Sequence, residues 1–180
     1  MKENIPTHEL LTHVDEQGKP TMVDVSDKSV TSRIAHARCF VVLGETVVSA
    51  LTETANDQQE LYSKKGPVFQ TAIIAGTMAV KKTSDLIPFC HPLAIEKCDI
   101  DISLTAGSEV CIDCTVQVSG KTGVEMEALT GATVAALTIY DMCKALSHDI
   151  VIKEAQLMQK SGGKRDFARK ESDGGSHQKD

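Results

Sequence analysis

This sequence contains no Trp, four Phe and two Tyr. So few rings cannot tile a stacking surface, which argues against a single-stranded nucleic-acid binder. Excess positive charge is missing too: 19 Lys and Arg face 25 Asp and Glu, for a formal net charge of −6. A phosphate backbone is therefore not attracted globally, while a local basic pocket is still allowed. No run approaches the ~18 apolar residues of a membrane span. The opening Met1-Lys2-Glu3-Asn4 has no apolar signal core. We expect no nucleic-acid partner, no membrane partner and a cytoplasmic location.

What is present is enough for one core. The chain has 180 residues, 41% of them apolar, drawn from Val, Ile, Leu, Ala and Met rather than from rings. The six cysteines are Cys39, Cys90, Cys98, Cys111, Cys114 and Cys143. In a reducing compartment they stay free and serve mostly as small core hydrophobes. Cys111 and Cys114 have C-x2-C spacing but would point to opposite faces of a strand, and no second pair follows.

Patterning divides the chain into three parts: a flexible segment over residues 1–20, one domain over 21–160, and a flexible Gly-rich, charged tail over 161–180. Within the domain, Arg38 to Leu43 reads as a strand and Thr46 to Thr54 as a helix. Lys64-Lys65-Gly66-Pro67 is a turn signal. Val68 to Asp85 has helical periodicity. Cys98 to Leu104 and Val110 to Val118 alternate strictly, and Gly107-Ser108 between them suits a hairpin. Val124 to Leu146 reads as a long Ala-rich helix, and Ile150 to Met158 as a last strand. The order β-α-α-β-β-α-β predicts an α+β fold, a ferredoxin-like antiparallel sheet with helices packed on one face.

Several residues could carry chemistry. Pro88-Phe89-Cys90-His91-Pro92 is stiffened at His91, because the residue before a proline is driven out of the helical region. Asp141 and Lys144 are three apart near the end of the long helix and share a face; the bland alternative is a surface ion pair. Glu125 and Glu127 lie at the other end, 14 to 16 residues away, or roughly 21–24 Å along a helix. If both ends serve one site, a second subunit must help to build it. Lys65 stands on an exposed turn. Lys160-Ser161-Gly162-Gly163-Lys164 puts two cations around flexible amides that could close on phosphate, or could equally be a polar tail. Gly120-Lys121-Thr122-Gly123 fails as a P-loop because position 115 is Thr.

Five stretches together resemble one family. They are Met22-Val23-Asp24-Val25-Ser26, the run Lys81 to Pro92, the run Gly120 to Thr130, the run Ala135 to Ala145, and Lys160 to Lys164. The set resembles the cyclic pyranopterin monophosphate synthases, the molybdenum cofactor biosynthesis protein C family. The resemblance implies a lyase that converts 3′,8-cyclo-7,8-dihydroguanosine 5′-triphosphate to cyclic pyranopterin monophosphate and pyrophosphate. It implies a homohexamer, a trimer of dimers, with sites at the dimer interface and no cofactor beyond Mg2+ carried with the triphosphate. Carried over by position, Asp141, Lys144 and Lys65 are catalytic. Phe89, Cys90, His91, Glu125, Met126, Glu127, Arg33, Lys121, Lys160 and Lys164 bind substrate, the last four of them on the phosphate side. On this reading clustered cations would depress the lysine pKa values, Asp141 pulls the other way while it orients Lys144, and Lys65 meets Lys144 across a seam between protomers. The rival readings are a non-catalytic binding module and a small metalloprotein using His91 with Cys90 and Cys98.

Overall fold

A computed structural model describes residues 18–52 and 60–170. Its main sheet is antiparallel throughout, in the order β4-β5-β1-β6-β7. The strands are β1 (Thr31–Val42), β4 (Lys97–Leu104), β5 (Glu109–Gly120), β6 (Val151–Ser161) and β7 (Phe167–Ala168). Two short strands, β2 (Tyr62–Ser63) and β3 (Gly66–Pro67), form a separate hairpin. The helices are α1 (Glu45–Thr52), α2 (Val68–Val80), the single-turn α3 (Thr83–Leu86) and α4 (Glu125–Cys143). The first, second, third and fourth long strands lie in the order 2-3-1-4. This is the ferredoxin-like split βαβ arrangement expected from the sequence.

Alternation explains why one face of the sheet is covered. In β1, Ala35, Ala37, Cys39 and Val41 are buried. In β5, the same holds for Val110, Ile112, Cys114, Val116 and Val118. Residues two apart share a face, so both strands turn one apolar side to the helices. Cys111 falls on the other face from Cys114, as its odd spacing requires. The helical layer answers with small residues: Ala72 in α2, and Ala128, Ala132, Ala135 and Ala136 in α4, are buried. Where α2 meets α4, a Cβ on Gly76 would stand 2.8 Å from the Gly131 carbonyl oxygen. One on Gly131 would stand 2.7 Å from Cys114 Sγ. Two glycines thus let the backbones touch and keep the Ala-rich core thin.

Several boundaries differ from expectation. β1 begins at Thr31, seven residues before the Arg38 start read from the sequence. Its polar first half is carried by a twelve-residue register with β5, from Thr31↔Gly120 to Val42↔Glu109. The helix read over Val68 to Asp85 breaks at Lys81-Lys82. The buried Thr83 hydroxyl bonds back to the Ala79 and Val80 carbonyls and starts a new turn. The first residues of the tail expected from 161 belong to the sheet. β6 runs through Ser161, and Phe167–Ala168 pair with Lys160 and Gln159. The N-terminal segment to residue 17, the end of the first predicted helix at 53–54, and residues 171–180 lie outside the described residues.

Candidate active site

The two ends of α4 carry two different clusters. At its C-terminal end, Asp141 holds two lysines. Lys65 Nζ lies 2.6 Å from Asp141 Oδ2, and Lys144 Nζ lies 2.8 Å from Oδ1. Lys65 also donates to the Asp141 main-chain carbonyl at 2.9 Å, one of the acceptors a helix end leaves unpaired. The carboxylate is held down to a pKa of about 2, first by the Lys144 bond and then by the Lys65 bond. Asp141 in turn pushes the Lys144 ammonium up. Of the two opposed influences expected on Lys144, the carboxylate at bonding distance prevails. The seam expected between Lys65 and Lys144 is also overturned, because one chain brings both amines onto a single carboxylate.

The local sequence explains how Lys65 gets there. It sits at the tip of the β2–β3 hairpin, where Gly66 takes a φ of +114°. The hairpin runs directly into α2, whose N-cap is Pro67 and has no side-chain cap. Glu60 supplies that cap from the far side of the hairpin. Its Oε1 accepts from the Phe69 and Leu61 amides at 2.8 Å, and its Oε2 from Gln70 at 3.0 Å. The turn is thus strapped to the helix at both of its ends.

The second cluster surrounds the N-terminal end of α4. One cavity of about 450 Å³ is lined by Lys28, Arg33, Lys121, Lys160, Lys164 and Arg165, with Glu125 among them. An adjoining cavity of about 530 Å³ is lined by Phe89, Cys90, His91, Met126 and Glu127. The two share Lys28, Thr122, Gly123, Glu125, Lys160 and Lys164. Six cations in a chain of net charge −6 mark this as an anion site, and the amides opening a long helix add to the attraction. Arg33 Nε is buried without a hydrogen-bond partner among the described residues. An unmade bond on a buried guanidinium is costly unless a ligand completes it.

Glycines let this wall close. Gly162 takes a φ of +86°, and a Cβ there would collide with the Ser32 carbonyl. A Cβ on Gly163 would stand 2.9 Å from an Arg33 guanidinium nitrogen. The 160–164 run, open from the sequence to reading as a flap over phosphate or as a polar tail, is seated against β1. Lys160 Nζ pairs with Glu125 Oε1 at 2.8 Å, so Glu125 is occupied by a cation. Glu127, 4% exposed, has its pKa raised by burial. The Cys90 thiol is pushed up by burial and then by Glu127. His91 Nε2 lies 2.9 Å from the Val23 carbonyl oxygen. A carbonyl only accepts, so Nε2 carries the proton.

The structure therefore splits the thirteen residues expected from the sequence into two groups. Lys65, Asp141 and Lys144 stand at one end of α4, and the other ten line the two cavities at the opposite end. Lys28 and Arg165 were missed. Their only sequence signal is closeness to a matched stretch: Lys28 stands two residues after Ser26, and Arg165 directly follows Lys164. No group of three or more His, Cys, Asp and Glu side chains suited to a metal occurs among the described residues. No helix there is long and apolar enough to cross a membrane.

The MoaC family model matches residues 22–163. A cyclic pyranopterin monophosphate synthase of Xanthomonas campestris pv. campestris (strain B100) is 54% identical over 157 residues, covering 87% of this chain and 92% of its own. Molybdenum cofactor biosynthesis protein 1 of Dictyostelium discoideum is 57% identical over 165 residues, 85% of this chain but 26% of that protein. The molybdenum cofactor biosynthesis bifunctional protein of Synechocystis sp. is 52% identical over 164 residues, 89% of this chain and 46% of that protein. The chain thus spans less than half of the Dictyostelium and Synechocystis relatives and nearly all of the Xanthomonas one.

Proposed function

The chain belongs to the MoaC family, and on that premise we propose that it is a lyase of molybdenum cofactor biosynthesis. It takes 3′,8-cyclo-7,8-dihydroguanosine 5′-triphosphate to cyclic pyranopterin monophosphate and pyrophosphate. The observation that carries this reading is the pocket of six cations beside a raised-pKa carboxyl. A triphosphate of about −4 charge fits such a lining, where lysines act as point charges. An internal hydroxyl attacks the α-phosphorus; the new P–O bond forms as the bond to pyrophosphate breaks. Arg33, Lys121, Lys160 and Lys164 hold the charge that develops on the departing oxygens. His91, Phe89, Cys90 and Met126 line the cavity for the base and sugar. Glu127, favoured in its neutral form by burial, is a proton donor in waiting.

Lys65 and Lys144 carry the acid–base steps of ring rebuilding, with Asp141 orienting both. Their cluster is about 21 Å from Glu127 along α4, by 14 residues of rise. One nucleotide does not span that distance within a chain, so each site combines the lysine cluster of one copy with the cation pocket of another. A homohexamer built as a trimer of dimers meets this need. Ile74, Met78 and Leu137, more than half exposed on α2 and α4, supply apolar surface for burial against further copies. A resident Mg2+ does not fit the pocket, because its lining offers ammonium and guanidinium groups rather than an oxygen cage. Any Mg2+ arrives on the triphosphate. Free thiols at all six cysteines suit a reducing cytoplasm.

The test is turnover. Purified protein given the cyclic triphosphate should release pyrophosphate and the cyclic monophosphate in equal amounts. The Lys65→Ala and Lys144→Ala variants, folded by circular dichroism, should each lose at least about a hundredfold in kcat, as acid–base groups do. Wild-type protein that binds the triphosphate but returns it unchanged refutes the enzyme reading.

A further inference from the structure

Lys65 stands on the smaller of the two sheets among the described residues. Its hairpin has two residues in each strand, paired as Tyr62↔Pro67 and Ser63↔Gly66. An isolated two-stranded hairpin is marginal in water even when it is longer, so this one cannot fix its own direction. The contact at its tip is not enough either. The side chains of the Lys65–Asp141 pair are 47% and 53% exposed, and exposed ion pairs hold their members weakly. The base of the hairpin must aim the turn.

That base is tied to α2. The first amides of a helix have no partners within it, and the N-cap Pro67 offers no side-chain acceptor. The residues that enter the hairpin take three of those amides. The Leu61 carbonyl accepts from Val68 at 2.8 Å. Glu60 Oε1 accepts from Phe69 at 2.8 Å, and Oε2 accepts from Gln70 at 3.0 Å. Oε1 also accepts from the Leu61 amide at 2.8 Å, which fixes the carboxylate against its own strand. Leu61 and Phe69 are buried beneath it. The helix so tied meets α4 at Gly76 and Gly131, and α4 carries Asp141 in its last turn. Hairpin and acceptor are thus set relative to one another through a single pair of helices.

A carboxylate suits this task. Negative charge is favoured at a helix N-terminus, and its bonds to amides are stronger than those of a neutral acceptor. An ordinary cap would come from the residue next to the helix. This one comes from the opposite leg of the turn that bears Lys65, so it closes the hairpin as well as the helix.

We propose that Glu60 is a positioning residue for catalysis: by gripping α2 from the strand that enters the hairpin, it aims Lys65 at Asp141. The proposal rests on reading Lys65 as an acid–base group and deepens that reading. Glu60 acts only through the lysine.

The experiment uses the full chain and two readouts: kcat and KM for the cyclic triphosphate, and the rate at which acetic anhydride labels Lys65, followed by mass spectrometry. An ammonium held by a carboxylate is slow to give the free amine that is acylated. Glu60→Ala, checked for folding by circular dichroism, should lose at least about tenfold in kcat with KM little changed, because small misplacements of a catalytic group are felt strongly. Its Lys65 should be labelled several-fold faster, while Lys97, paired with Asp99 on the distant β4, keeps its rate. Glu60→Ala added to Lys65→Ala should cost nothing further in kcat. Glu60→Gln should fall between wild type and Glu60→Ala, since its amide oxygen serves Leu61 and Phe69 but its NH2 meets the Gln70 amide.

Unchanged kcat or unchanged Lys65 labelling in Glu60→Ala overturns the proposal. So does a full further loss on the Lys65→Ala background, which would mean a role apart from the lysine. If Glu60→Ala folds poorly, Glu60→Gln carries the test: slower turnover with faster labelling supports the proposal, and wild-type values in either overturn it. Wild-type protein without turnover would sink the enzyme reading, while the labelling would still decide whether Glu60 places Lys65.

Discussion

Mixing inactive variants distinguishes a site within one chain from a site shared between chains, and the geometry of α4 sets the expected yield. Asp141 and Glu127 are 14 residues apart on one unbroken helix, about 21 Å. On the proposed reading each reaction site draws its lysine cluster from one protomer and its cation pocket from a partner. Take Lys144→Ala, broken at the first end, and Arg33→Ala/Lys121→Ala, broken at the second. In a mixed dimer both lesions fall into one site, and the other site is whole. Random exchange at equal amounts makes half the dimers mixed, so activity should return to about one quarter of wild type. Lys65→Ala mixed with Lys144→Ala should recover nothing, because both residues meet the same Asp141 and every site keeps a lesion. Pyrophosphate release would be assayed after subunit exchange is verified by native mass spectrometry. Recovery in the Lys65/Lys144 mixture, or none in the first mixture, refutes the reasoning.

Asp141→Asn should cost most of the activity and also change acid stability. The wild-type carboxyl is held at about 2 against an ordinary 3.8, so its contribution is full above pH 4 and is lost as pH falls towards 2. Urea midpoints of the two proteins should therefore converge over that window. Glu127 is the opposite case. Burial raises its pKa above the ordinary 4.5, so its contribution is fully present below that value and fades as pH rises through the folded-state pKa. Glu127→Gln should melt higher than wild type at pH 7, lose the advantage in acid, and turn over more slowly. Gly76→Ala gains about 1 kcal/mol of helix propensity. It also forces a Cβ to within 2.8 Å of the Gly131 carbonyl oxygen. Overpacking costs about 1–3 kcal/mol where neither backbone can yield, so thermal melts should show a net loss.

The architecture was largely legible because alternation and helical spacing are local signals. Cys98 to Leu104 and Val110 to Val118 alternate in the sequence and pair in the sheet. The first half of β1 was not legible, since Thr31, Ser32 and Arg33 carry no apolar alternation and are held by their partners in β5. The site shows the same divide. Resemblance pointed to Lys65, Asp141 and Lys144, but only three dimensions show that they meet in one chain. The occupation of Glu125 by Lys160 depends on β6 running three residues past Met158, which no local spacing encodes. Lys28 was invisible because a lone lysine after a turn looks like any other.

The Glu60 carboxylate has a consequence for how this protein fails on heating. It gathers three amides across the turn that bears Lys65, and so ties an amine proposed for the chemistry to the first turn of α2 rather than to the sheet. Helix ends fray at lower temperature than strands buried at the centre of a sheet. Catalysis should therefore switch off while the far-ultraviolet signal of the strands is still native, and cooling should restore it without any refolding.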